Sequence, residues 1–141
     1  MGGHMMLAFC AMLTIAACSS TPTLPDPLMA GWNGKPVCEC LHEDQQLRVL
    51  RCTFPPGGGH DRHFHAAHYG YVIAGGRMQI TDQNGVRVVD VPSGSSFHSD
   101  GVEWHEVVNI GDTTSVYLIV EPKGNQSNIR FPQRGDWAYG R

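Results

Sequence analysis

Charge is scarce in this 141-residue chain and it is not clustered. Asp, Glu, Lys and Arg together make up 16 % of residues, the formal net charge is −3, and the basic residues are scattered. A nucleic-acid surface asks for a concentrated positive face, so that partner class is excluded. No strongly amphipathic helical stretch stands out. There is no internal repeat, and no low-complexity tract beyond the Gly57–Gly59 run. P-loop and dinucleotide fingerprints are missing. Ser93, Ser95 and Ser96 sit in a turn with no Gly-x-Ser-x-Gly elbow around them, which argues against a serine nucleophile. Cys38-Glu39-Cys40 is a Cys-x-Cys without a second pair, so a zinc ribbon has little support. Cys52 shows no neighbouring base that would make it a nucleophile.

What is present begins with an apolar run, Met5–Ala17, of the length of a signal-peptide core and too short to span a bilayer. Ile15-Ala16-Ala17-Cys18 resembles a bacterial lipobox, in which the Cys is acylated and becomes the new N-terminus, and Ser19 and Ser20 suit the positions after it. The run lacks a preceding Lys or Arg, and Met1-Gly2-Gly3-His4 reads as a cloning scar or an over-extended start. The competing reading is a fortuitous apolar start of a cytosolic protein. The expectation is therefore a signal peptide over 1–17, a membrane anchor at Cys18 and a cell-envelope, periplasmic location. Residues 18–40 form a tether, extended over the Pro-rich stretch Thr21–Gly34. In an oxidising compartment Cys52 pairs with Cys38 or Cys40; three unpaired thiols are the alternative.

Seventeen Gly, nine Pro and short β-branched runs favour an all-β fold in one domain. Leu47–Phe54 alternates as a strand and Pro55-Pro56 stops it. A histidine strand leads into Tyr71-Val72-Ile73. Arg77–Thr81 and Val86–Val91 form a hairpin around Asn84-Gly85. Phe97–Val102 reads as an irregular connection, Trp104–Ile110 as a strand, and Ser115–Glu121 as the most apolar strand. Short strands with turns every eight to twelve residues predict a sandwich or small barrel over 41–122. A polar extension over 123–141, with Phe131, Trp137 and Tyr139 spaced along it, either wraps the barrel or sits at a dimer interface.

Four of the eight histidines lie between Pro55 and Gly76. His63 and His65 are two apart, so on a strand both imidazoles point to one face. A metal needs at least one more donor, and His105 is the candidate. Here the chain resembles the cupin superfamily. The first cupin motif is matched by Gly57–Gly59, His63-Phe64-His65 and the strand ending at Gly75. The second is matched by Gly94, His105-x-x-x-Asn109 and Gly111-Asp112. The resemblance covers about residues 47–121.

It implies a double-stranded β-helix, a small jelly-roll barrel, holding one divalent transition metal (Fe, Zn, Ni, Mn or Cu) on His63, His65, His68 and His105. His68 stands where the family usually has Glu. Without that carboxylate the ion keeps its full charge and pulls harder on anionic or chelating small molecules. Three- and four-histidine cupins include Fe(II) dioxygenases; the alternatives are a metal-dependent isomerase or hydrolase, or an envelope module that binds a metal or small ligand without turnover. Tyr69 and His98 are candidate neighbours of the ligands, with a plain core histidine as the other reading of His98. Arg51, Arg77 and Met78 are candidate pocket residues, Arg51 and Thr53 facing a ligand carboxylate. Glu106 faces outward, and His42 and His60 are surface residues. A homodimer is the default for such barrels.

Overall fold

The computed structural model describes residues 23–124. The expected signal peptide, Cys18 and nearly all of the C-terminal extension lie outside the described residues. Eleven strands follow in order: β1 (Gly31–Trp32), β2 (Lys35–Pro36), β3 (Cys38–Glu43), β4 (Leu47–Phe54), β5 (Gly59–His65), β6 (His68–Ala74), β7 (Gly76–Asp82), β8 (Gly85–Val91), β9 (Ser96–Ser99), β10 (Val102–Asn109) and β11 (Ser115–Pro122). Beyond the small β1–β2 hairpin they form two antiparallel sheets, one ordered β5-β10-β7-β8 and one ordered β3-β4-β11-β6-β9. This is the expected all-β jelly roll.

Local chemistry accounts for most boundaries. Asp82, whose carboxylate accepts from Asn84 N, and Gly85 at φ 110° close the β7–β8 hairpin. Gln83 and Asn84 are the two turn residues between paired Asp82 and Gly85, and of these four only Gly85 has positive φ. Two expectations are corrected. The histidine strand is two strands, β5 and β6, which belong to opposite sheets and are separated by Ala66-Ala67. The stretch from Phe97 is not irregular: β9 pairs with β6, Phe97 opposite Gly70. The pairing is intimate, since a Cβ at Gly70 would lie 2.2 Å from the Phe97 ring.

The region read as a tether is part of the fold from Pro25 onward. Phe64 N donates to Pro25 O, β1 and β2 pair, and β3 pairs with β4. Cys38 stands directly opposite Cys52 and is disulfide-bonded to it, while Cys40 is free and exposed.

The core is drawn from both sheets: Leu50, Cys52, Phe54, Val72, Met78, Val91, Tyr117 and Ile119. The inward face of β4 therefore carries Leu50, Cys52 and Phe54. Arg51 faces out, ion-paired with Glu39, and Arg77 faces out beside Asp90. These two are corrections to the expected pocket; Met78 does point inward.

Asn109, fully buried, ties the end of β4 to the turn between β10 and β11. Its Nδ2 donates to Phe54 O and Thr113 O, and its Oδ1 accepts from Gly111 N. The Asn of the second motif is thus a structural staple, four residues from His105.

Candidate metal centre

Neighbouring strands β5 and β10 carry the donors. His105 stands directly opposite His63 in their antiparallel register. The register slips twice around that pair. Three residue steps on β10 (Val102 to His105) match two on β5 (His65 to His63), and then three steps on β5 (His63 to His60) match two on β10 (His105 to Val107). Each slip is a bulge that restores inward phase where simple alternation would lose it. His60, His63, His65, Val102, His105 and Val107 all line the same cavity as a result.

The Nε2 atoms of His63 and His65 are 3.0 Å apart, and those of His105 and His63 are also 3.0 Å apart. The three histidines offer one ligand atom each within 4.8 Å of one another. The other ring nitrogens decide what those atoms are. His63 Nδ1 lies 2.6 Å from Asp61 O, which can only accept, so Nδ1 donates and Nε2 carries a lone pair. His65 Nδ1 lies 3.2 Å from a Glu121 carboxylate oxygen, which fixes the same tautomer. The His63–His65 contact is therefore lone pair against lone pair. A shared proton or a shared cation relieves it.

A proton is disfavoured. Burial, and then the neighbouring imidazoles, push His105 down to about 2 and His65 well below the usual imidazole range; burial also lowers His63. Two ligands about 2.1 Å from a common ion and at right angles would stand ~3.0 Å apart. The donor set therefore fits a divalent transition ion, and all-imidazole ligation leaves its identity open among Fe, Zn, Ni and Cu, with Mn the least suited.

His68 is not among the three nitrogens that meet. Its Nδ1 donates to Ala66 O at 2.8 Å, and its ring packs 4.7 Å from that of His65, on the wall of the same cavity. His60 corrects the expectation of a surface residue. It is buried, its Nε2 donates to Pro27 O, and its ring lies 3.8 Å from that of His63; burial, with His63 beside it, lowers its pKa to about 4. Tyr69 and His98 are corrected as well. On β6 the inward residues are His68, Gly70 and Val72, so Tyr69 is exposed on the outer face. On β9 Phe97 and Ser99 line the cavity, which places His98 on the other side of the strand. Thr53, like Arg51, is on the outward side of β4.

The cavity measures about 230 Å³. Its wall is largely apolar, with Phe54, Met78, Ile80, Phe97 and Ile119, and Arg87 is the cation among its lining residues. Sequence reasoning missed two groups here. Arg87, paired with Asp82 at the rim, was read only as a hairpin residue. Glu121 closes the chain from β11 behind His65, 56 residues away, and no local signal connects them.

A family model described as "Cupin domain" matches residues 50–121, just over half of the chain. No curated protein matches. Among solved structures, a cupin domain from Bordetella pertussis superposes with a TM-score of 0.59 at 22 % identity, covering 72 % of this chain and 99 % of that one. An RmlC-like cupin family protein with a double-stranded β-helix fold, from Methanocaldococcus jannaschii, gives 0.51 at 16 % identity over 62 % and 79 % of the two chains. The polyketide cyclase RemF from Streptomyces resistomycificus gives 0.50 at 19 % identity over 81 % of each.

Proposed function

The chain belongs to the cupin domain family, and from that premise we propose that it is a metal-binding cupin acting on a small chelating molecule. One divalent transition ion is held by the Nε2 atoms of His63, His65 and His105, with His68 available beside them. The observation that carries this reading is the pair of imidazoles fixed as acceptors and facing each other at 3.0 Å. When bound, the ion supplies Lewis acidity and, if redox-active, reactivity toward dioxygen.

The chain's own residues do the rest. Asp61 O and Glu121 hold two ligand rings in one tautomer. Phe54, Met78, Ile80, Phe97 and Ile119 exclude water and take the apolar body of the ligand. No carboxylate belongs to the three-nitrogen donor set, which favours an anionic or chelating head group. On this reading the protein is a small-molecule metalloenzyme of the three- or four-histidine dioxygenase kind, or a metal-dependent isomerase or hydrolase.

A second reading, a non-catalytic envelope module that binds a metal or small ligand, is favoured by the lipobox at Cys18 and the Cys38–Cys52 disulfide, both suited to an oxidising compartment. We also propose the homodimer, supported by the exposed Tyr69, Tyr71 and Ile73 on the outer face of β6.

Elemental analysis of protein purified without added metal tests the first claim. We expect about one transition ion per chain, lost in His105→Ala. Oxygen uptake by Fe(II)-loaded protein, given cysteine-like thiols and β-diketones, separates the two readings. No uptake with any of them eliminates the dioxygenase and leaves the isomerase or hydrolase and the binding module; an absence of bound metal eliminates every metal-dependent reading and leaves small-ligand binding alone.

A further inference from the structure

The first described segment of the chain lies across the strand that carries the ligands. Leu28 N and Met29 N donate to Asp26 Oδ1, and Ala30 N donates to Asp26 O, so 26–30 is a compact turn. Phe64 N, between the two ligands of β5, donates to Pro25 O at 3.1 Å. His60 Nε2 donates to Pro27 O, and the Trp32 ring sits where a Cβ on Gly59 would be.

A charged chain connects this turn to a metal ligand. Asp26 Oδ2 accepts from Arg48 Nη1 at 2.7 Å, Arg48 Nε donates to Glu121 Oε2 at 2.7 Å, and Glu121 Oε1 accepts from His65 Nδ1 at 3.2 Å. The Glu121 side chain is only 4 % exposed. An ionised carboxylate that deep is stable only while paired. Arg48 supplies the pairing, and Asp26 fixes where Arg48 sits. Without Arg48 the Glu121 carboxylate is unpaired and its Oε1 is no longer held in place against His65 Nδ1. His65 then loses the partner that directs its Nε2 lone pair toward His63 and His105.

We propose that Asp26, Arg48 and Glu121 are positioning residues of the metal centre, and that Pro25–Ala30 is a strap through which the start of the barrel sets the orientation of His65. This rests on the reading that the three imidazoles hold an ion. It goes beyond that reading in making ion affinity depend on a segment that touches no ligand atom of the cluster.

The test uses the full chain. Zn²⁺ affinity is measured by competition with a chelating dye at neutral pH, and the imidazole ¹⁵N spectrum of the metal-free protein is recorded. Glu121→Ala is expected to weaken Zn²⁺ binding about 10- to 100-fold. It is also expected to remove the Nδ1–H signature of His65. Glu121→Gln, which keeps an acceptor oxygen and drops the charge, should fall between the two and guards against a variant that does not fold. Asp26→Asn should cost roughly threefold or more alone and nothing further in the Glu121→Ala background, because both act through one chain. Arg51→Gln, which breaks the outward ion pair with Glu39, should leave affinity unchanged.

Zn²⁺ affinity of Glu121→Ala within about twofold of the parent, or an Asp26→Asn loss as large in the Glu121→Ala background as alone, overturns the proposal. If the unaltered chain binds no Zn²⁺, the metal reading fails separately. The ¹⁵N spectrum then still decides the orienting role, and a His65 signature unmoved by Glu121→Ala sinks it.

Discussion

Acidification should destabilise the metal-free protein before its carboxylates protonate. Five imidazoles line one cavity: His60, His63, His65, His68 and His105. Burial is the first cause that lowers each of them from the ordinary value near 6.5, to about 4 for His60 and about 2 for His105. The sign follows from proton counting. Below pH ~6.5 the unfolded chain binds protons that the folded chain refuses, so stability falls as pH falls and the loss ends only near the folded values. Above pH ~6.5 both states are neutral at these sites and stability is flat. About one pH unit below 6.5 His60 and His105 cost roughly 1.4 kcal/mol each, about 3 kcal/mol together, and His63, His65 and His68 act in the same direction. A domain of this size holds only about 5–15 kcal/mol in total.

The carboxylates cannot mimic this. Asp26 is lowered although burial alone would raise it, because Arg48 and two backbone amides bond it, and Asp44 is lowered to about 2 by the Leu47 and Gln46 amides. Their contribution fades only below pH ~4. Urea unfolding between pH ~7.5 and ~5, with a chelator present, isolates the histidines. We expect the midpoint to fall steeply below pH ~6.5. Added Zn²⁺ at about 100 times its dissociation constant should recover about 2.7 kcal/mol near neutrality. Stability constant within ~1 kcal/mol across the range would show that these imidazoles are not buried neutral, and the lone-pair reading of the site would go with it.

Three further outcomes can be checked by the same unfolding measurement. Asn109→Ala removes the bonds it makes to Phe54 O, Thr113 O and Gly111 N; about 2–3 kcal/mol should be lost while Zn²⁺ affinity stays unchanged. Removing the Cys38–Cys52 disulfide, whose cysteines are 14 residues apart, should cost about 3 kcal/mol, and Cys40→Ser nothing measurable. Gly70→Ala drives the Phe97 ring from its place against β6, at a cost of about 1–3 kcal/mol, and an unchanged denaturation midpoint would contradict the close packing of those strands.

The positions of β4, β7, β8, β10 and β11, the all-β class and the shared face of His63 and His65 were legible along the chain, because alternation and turn chemistry act between near neighbours. The pairing of His105 with those two was reached through the two cupin motifs, not through any local pattern. Which face of β4 turns inward was not legible. Leu47 and Val49 on one side balance Leu50 and Phe54 on the other, and Arg51 was assigned to the pocket when it belongs to the outer surface. Tyr69 and His98 failed for a related reason: each neighbours an inward residue, His68 or Phe97, and a strand sends neighbours to opposite faces.

The bulges on β5 and β10 have no sequence signature of their own, yet they bring His60 and Val102 into the cavity with the ligands. His60 was placed at the surface on that account. The free cysteine, the buried Glu121 behind His65 and the folded strap over 25–30 likewise depend on pairings made across 14 to 73 residues. The chain by itself determined most of its strands and offered its donors. Which donors meet, and in which tautomer, was decided by the tertiary structure, since register between distant strands is set by the packing of the whole barrel and not by any one stretch.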